Sequence, residues 1–370
     1  MNLKRFLIMF RQIISIGMTF TVWLGLILMT PQFTWGGTAL GDLAASMQPG
    51  TWAELVTNNI CQTLCDSVTG GDGHIMIYAE GMKWDPISRK VYFFGSDDPG
   101  DGSRLVTYTE ATNSWEILPE QGTFYAGSTV GHGYDLTTLN VAGRALYRAN
   151  VNNSPWYKYD LSTGTWSQMP SPPSGPSNCC ESFEYFPEMN AVISVRVGNV
   201  FKFNLATNQW TTLATGLNTD YHSFAEYNPV TKTILFGIDN SIYKLSSTGQ
   251  ITPLNTPPFK ITTPNTEVTY DPVSGLYIVI RWNQTWYTYN ISTDTWILQS
   301  NTGVPSEIWT AQDNPNHFNS LATPISTYGV IMFTRCAVSG GGGPCKVFLY
   351  KRVPKSDTTP PANPSNLRVK

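Results

Sequence analysis

One short pattern recurs along the chain: an aromatic residue, a polar turn, then tryptophan. It reads Tyr108-Thr-Glu-Ala-Thr-Asn-Ser-Trp115, Tyr159-Asp-Leu-Ser-Thr-Gly-Thr-Trp166, Phe203-Asn-Leu-Ala-Thr-Asn-Gln-Trp210 and Tyr289-Asn-Ile-Ser-Thr-Asp-Thr-Trp296. A degenerate copy, Tyr243 to Ile251, fills the gap, so the Trp-equivalent positions lie 51, 44, 41 and 45 residues apart. A repeat of that period is one supersecondary unit that buries its face only against its neighbours.

A second pattern precedes each copy: an aromatic, a polar residue and usually proline. It is seen at Trp84-Asp85-Pro86, Tyr185-Phe186-Pro187, Tyr227-Asn228-Pro229 and Tyr270-Asp271-Pro272. In the second unit we align Tyr134-Asp135 to it, and in the last Ala322-Thr323-Pro324. A β-rich run follows each, such as Val91 to Phe94 or Leu276 to Ile280. Each unit thus reads as four strands punctuated by turns. The composition agrees, since aromatics reach 13 % and charged residues only 13 %, about half the usual share. The sixth unit lacks a last strand, and Gly50-Thr51-Trp52 at the other end has the form of Gly164-Thr165-Trp166. The expected fold is all-β: a six-bladed β-propeller over residues 48–352, its last blade closed by the N-terminal strand.

The repeat resembles the kelch and galactose-oxidase-like propeller superfamily, over roughly residues 48 to 352. It departs in lacking the double glycine after the second strand, where Gly95 and Gly237 are the nearest traces. After it, Asp357-Thr-Thr-Pro-Pro361 and Pro364 to Val369 resemble a linker and the opening strand of a fibronectin type III domain, assigned to 353–370.

Lys4, Arg5 and Arg11 precede an uncharged, largely apolar run, Ile13 to Thr30. That is a signal-peptide pattern, residues 1–39, with cleavage expected after Ala39 or Ser46 and no span in the mature chain. A retained anchor is the alternative, because the run approaches membrane length. A secreted or cell-surface location follows. Six cysteines then read as disulfides: locally Cys61/Cys65, Cys179/Cys180 and Cys336/Cys345, or with Cys179 and Cys180 reaching Cys61 and Cys65. The net charge is −3, and −6 without the first 39 residues, with no basic stripe, so nucleic acid is excluded as a partner.

Ligands are expected at the channel mouth, where the first strands begin. Counting back from the aromatic marks gives Tyr78, Glu80, Glu181, Tyr221, His222, Asn265 and His317 as candidate contacts. Any propeller has a polar rim there, so the set alone assigns no activity. Tyr221-His222-Ser223 matches the Tyr-His-Ser that opens a strand in galactose oxidase. The resemblance implies a copper site with His317, Tyr78 and Cys180 nearby. A second enzymatic alternative pairs Glu80 with Glu181 as acid and base on a sugar. Asp97 to Ser103 is acidic enough for calcium, but Pro99 breaks the ligand spacing.

The reading favoured is a monomeric binding module for a glycan or protein, without catalysis and without a cofactor. A secreted carbohydrate-active enzyme, oxidase or polysaccharide-cleaving, is the alternative. Copper and calcium are the alternative cofactors.

Overall fold

The computed structural model describes residues 37–65, 75–76, 79–95, 104–119, 133–149, 155–173, 182–263, 265–309, 320–336 and 344–353. They form six four-stranded antiparallel sheets. The first strands of the sheets are Lys83–Asp85, Thr137–Asn140, Ser182–Phe186, Phe224–Asn228, Thr266–Tyr270 and Ser320–Ile325. Each packs beside the first strands of the sheets before and after it, so the six close into a ring. This is the expected six-bladed propeller.

Closure is also as expected. Thr51–Leu55 pairs antiparallel with Cys345–Lys351, Trp52 opposite Tyr350, and becomes the outermost strand of blade six. Trp52 stacks on Tyr350 with ring centroids 4.6 Å apart and lies 5.0 Å from Phe333.

The turns explain why these residues repeat. The residue two before each Trp position adopts left-handed backbone: Asn113, Gly164, Asn208, Gly249 and Asp294. Only Gly, Asn and Asp enter that region at little cost. Gly50, two before Trp52, has φ +83° and completes the set in blade six.

The first hairpin of each blade carries a second left-handed position: Arg89, Arg144, Asn190, Lys232, Gly275 and Gly329. Each lies five residues after the position that pairs seven residues on, as Trp84 pairs with Val91 and Tyr185 with Val192. By that register blade two's counterpart of Trp84 is Leu139, opposite Leu146, and blade six's is Pro324, opposite Ile331. The alignment on Tyr134 and Ala322 is therefore corrected by five and by two residues. Strand pairing fixes the register, and an aromatic–Asp dipeptide five residues early had imitated it.

The core runs between blades, with Trp84, Phe93 and Tyr108 in one layer and Trp156, Phe183 and Phe203 in another. A short helix, Ala39–Ser46, precedes the closing strand and buries Leu40 and Ala44 in the first layer. Both expected cleavage points fall on this helix, one at each end. Cys61 bonds Cys65 and Cys336 bonds Cys345, so Cys61 and Cys65 do not pair with Cys179 and Cys180, which lie outside the described residues. Residues 354–370 also lie outside them. Among the described residues no helix is long and apolar enough to cross a membrane.

Candidate functional site: the propeller channel and its mouth

The first strand of each blade is a sheet edge, so its outward N–H groups need partners from elsewhere. Side chains supply them. Immediately before the aromatic position stand Lys83, Thr138, Glu184, Glu226, Thr269 and Thr323, one per blade. The Thr323 hydroxyl accepts from the Trp84 amide at 3.1 Å, and Thr138 from the Tyr185 amide at 2.7 Å. Lys83 reaches across the ring to Glu184 at 2.7 Å and to Glu226 at 3.4 Å. Thr138 also donates to Glu184 at 3.0 Å.

Three more carboxyls fill the channel nearer the mouth. Glu80 accepts from the Val268 amide of blade five at 2.9 Å, and Asp135 from the Ala225 amide of blade four at 2.7 Å. Glu267 accepts from the Ala322 amide. Among the described residues these five carboxyls share the channel with Lys83, while Arg335 acts on Glu267. Burying an excess of like charge is far costlier than protonation. Burial, then repulsion by a neighbouring carboxyl (Glu267 for Glu80, Glu226 for Glu267), holds Glu80 and Glu267 well above the ordinary carboxyl range. Burial does the same to Asp135, with Lys83 opposing. It also raises Glu184, against the pull of Lys83, and pushes Glu226 up to about 7. For Lys83, burial is outweighed by Glu184, Glu226 and Asp135, which hold the ammonium charged. Arg335 is lowered to about 9 by burial, with Glu267 opposing. Among the described residues Glu80 Oε2 and Glu267 Oε1 have no hydrogen-bond partner, as neutral carboxyls tolerate better than carboxylates.

At the mouth the chain is drawn tight. Ala79 bridges Tyr134, Asp135 bridges Ser182, and the Phe183 amide donates to the Asp135 carbonyl at 2.7 Å. Above these lies a group of rings from two blades. His222 sits 5.4 Å from Tyr134 and 4.4 Å from Tyr221 by ring centroids. Tyr134 and His222 occupy the same place in blades two and four, five residues before the aromatic position, and both have positive φ, 38° and 68°. Such backbone costs of order 1–3 kcal/mol and persists where surroundings over-determine it. Here they do. The His222 carbonyl accepts from the Thr263 amide and hydroxyl at 3.2 and 3.0 Å, while Ser223 and Asp220 close a local turn. Tyr221 remains 47 % exposed, its ring the outermost of the three.

Of the residues expected at the mouth, Tyr221 and His222 come together there. Asn265 lies in the adjoining Thr262–Thr266 turn, partly buried. Glu80 is buried beside them and caps a backbone amide. Tyr78, Glu181 and His317 lie outside the described residues, as does Cys180. Among the described residues no three His, Cys, Asp or Glu side chains converge as metal ligands. Sequence reasoning missed Lys83, Asp135, Glu184, Glu226 and Glu267. The signal was present: a charged residue directly precedes the aromatic in blades one, three and four.

No protein-family model and no curated protein matches the chain. Among solved structures it is similar to a chain of the nidogen/laminin complex, at 9 % identity and TM-score 0.44, over 59 % of this chain and 77 % of that one. It is also similar to TolB from Acinetobacter baumannii, at 12 % identity and TM-score 0.42, over 60 % of this chain and 54 % of that one. This chain thus spans about half of the TolB chain. The propeller architecture rests on the six sheets themselves.

Proposed function

We propose that the protein is an exported, kelch-like binding module that holds a glycan at the mouth of its channel and performs no chemistry on it. The rigid ring group of Tyr221, His222 and Tyr134 carries this reading. Flat aromatic faces fixed in advance offer contact area at little entropic cost, and suit the apolar face of a sugar ring. The channel acids support the non-catalytic part. Glu80, Asp135 and Glu184 are buried, the first two capping backbone amides and the third holding Lys83, whereas a glycosidase needs two carboxyls placed to meet substrate. The two local disulfides support an oxidising destination. The fibronectin-like tail would then be a spacer.

A glycan panel probed with the purified protein, with and without added copper, tests the proposal. Retention of one glycan class with no change in its mass is expected. Turnover of any retained glycan would overturn the non-catalytic reading, and retention of proteins but no glycan would overturn the ligand class.

A further inference from the structure

Three buried oxygens meet on the blade-five wall of the channel. Glu267 and Thr269 stand two apart on Thr266–Tyr270, the first strand of blade five, so their side chains leave the same face. That face looks to the first strand of blade six, Ser320–Ile325. Glu267 accepts there from the Ala322 amide. Thr269, two residues on, faces Pro324, as Thr138 faces Tyr185 in the next blade. Glu80 arrives from blade one and accepts from the Val268 amide, between the two, at 2.9 Å.

Each carboxyl thus commits one oxygen to an edge amide. Among the described residues the other oxygens, Glu80 Oε2 and Glu267 Oε1, have no hydrogen-bond partner, and neither has the Thr269 hydroxyl. The three residues are only 5 %, 1 % and 1 % exposed, so bulk water does not serve them. The two carboxyls are close neighbours, since repulsion by Glu267 is the largest charge effect on Glu80. Lys83 is engaged elsewhere, with Glu184 and Glu226. Five carboxyls against Lys83 and Arg335 leave the surrounding field negative.

These observations specify an occupant. Like carboxyls buried side by side either hold protons or share a positive ion, and a doubly charged ion balances the pair. Carboxylate and hydroxyl oxygens, with no nitrogen or sulfur among them, suit a hard cation. Two carboxyls and a hydroxyl do not cage such an ion completely, so it would keep water on its remaining positions.

We propose that the channel binds one hard divalent cation of the calcium class between blades five and six, through Glu80 Oε2, Glu267 Oε1 and the Thr269 hydroxyl oxygen. Protons and the cation compete for the two carboxyl oxygens, so the protonated pair is the cation-free form. Because Glu80 belongs to blade one and the other two ligands to blade five, the ion ties distant parts of the ring together. Nothing in the site depends on the glycan reading.

The test takes the whole protein, stripped with a chelator and dialysed to near neutral pH, and adds calcium chloride. Titration calorimetry is expected to show one ion per chain, and the melting temperature to rise by several degrees at saturation. Glu80→Gln and Glu267→Gln each keep an oxygen for the backbone amide and should bind calcium at least about tenfold more weakly. Thr269→Val loses a hydroxyl with no partner in the cation-free protein, so it should fold at least as well as wild type. It too should bind about tenfold more weakly, a loss that misfolding cannot explain. Wild-type protein that takes up no calcium overturns the proposal. Uptake unchanged in Glu267→Gln and Thr269→Val also overturns it, since the ion would then lie elsewhere, as on the acidic turn Asp97 to Ser103. Equal stabilisation by sodium chloride at matched ionic strength would be screening alone and overturns it as well.

Discussion

Thr269 stands where Thr138 and Thr323 stand in their own blades, but the next blade presents Pro324 to it. Thr138 and Thr323 accept the amides of Tyr185 and Trp84. Pro324 has no amide to give, and among the described residues the buried Thr269 hydroxyl has no hydrogen-bond partner. Removing an unsatisfied buried hydroxyl relieves a cost, while removing an engaged one creates a cost. Thr269→Val is therefore expected to raise stability by about 1 kcal/mol, and Thr138→Val and Thr323→Val to lower it by ~1–3 kcal/mol. Urea unfolding of the three variants checks the opposite signs.

The closing strand should be indispensable. Deleting residues 48–56 removes Trp52 and bares the edge of Cys345–Lys351, an unpaired strand that can recruit a second molecule. Unfolding or oligomerisation is expected on size-exclusion chromatography. Trp52→Ala alone keeps the strand but loses the stack on Tyr350 and Phe333, and should cost about 3 kcal/mol. An unchanged melting temperature for the deletion would show that blade six closes without its N-terminal strand.

The channel carboxyls predict an unusual pH profile. Glu80, Asp135, Glu226 and Glu267 are all raised in the fold, Glu226 to about 7. Between the unfolded carboxyl range and these raised values the folded state binds more protons than the unfolded chain. Their stabilising contribution is fully present below about pH 4.5 and is lost as pH rises through the folded values. Glu110 works the other way. Burial would raise it, but bonds from Arg89, Thr38 and Tyr328 lower it, so its contribution fades only in acid. The melting temperature is expected to peak near pH 5, where about both conditions hold, and to fall steadily towards pH 8. Glu226→Gln should flatten that fall. A melting temperature that rises from pH 5 to 8 would contradict the proton-holding channel.

Much of this architecture was legible because the turns demand particular residues. Asn113, Gly164, Asn208, Gly249 and Asp294 mark one hairpin of successive blades, and Gly50 before Trp52 revealed the closure. The register of blades two and six was not legible, since Leu139 and Pro324 stand where an aromatic marks most of the others. Nor was the channel cluster. Its members sit one per blade, tens of residues apart, and only ring closure brings Lys83 to Glu184 and Glu226. Glu80 looked like an open rim residue by counting, because spacing places a residue along a strand but does not show that its side chain is buried and caps the Val268 amide.

The aromatic mouth is the central claim, and titration calorimetry with the retained glycan tests it most directly. Tyr221→Ala removes the exposed ring. His222→Asn removes the second ring yet keeps a residue that tolerates the left-handed backbone at that position. Ile87→Ala, on an exposed first-hairpin turn at the other end of the strands, is the control. Each mouth variant is predicted to melt close to wild type and to bind at least about tenfold more weakly, the loss of ~1.4 kcal/mol expected for one stacking ring, with the control unchanged. Wild-type affinity in both mouth variants would place the binding site elsewhere on the propeller.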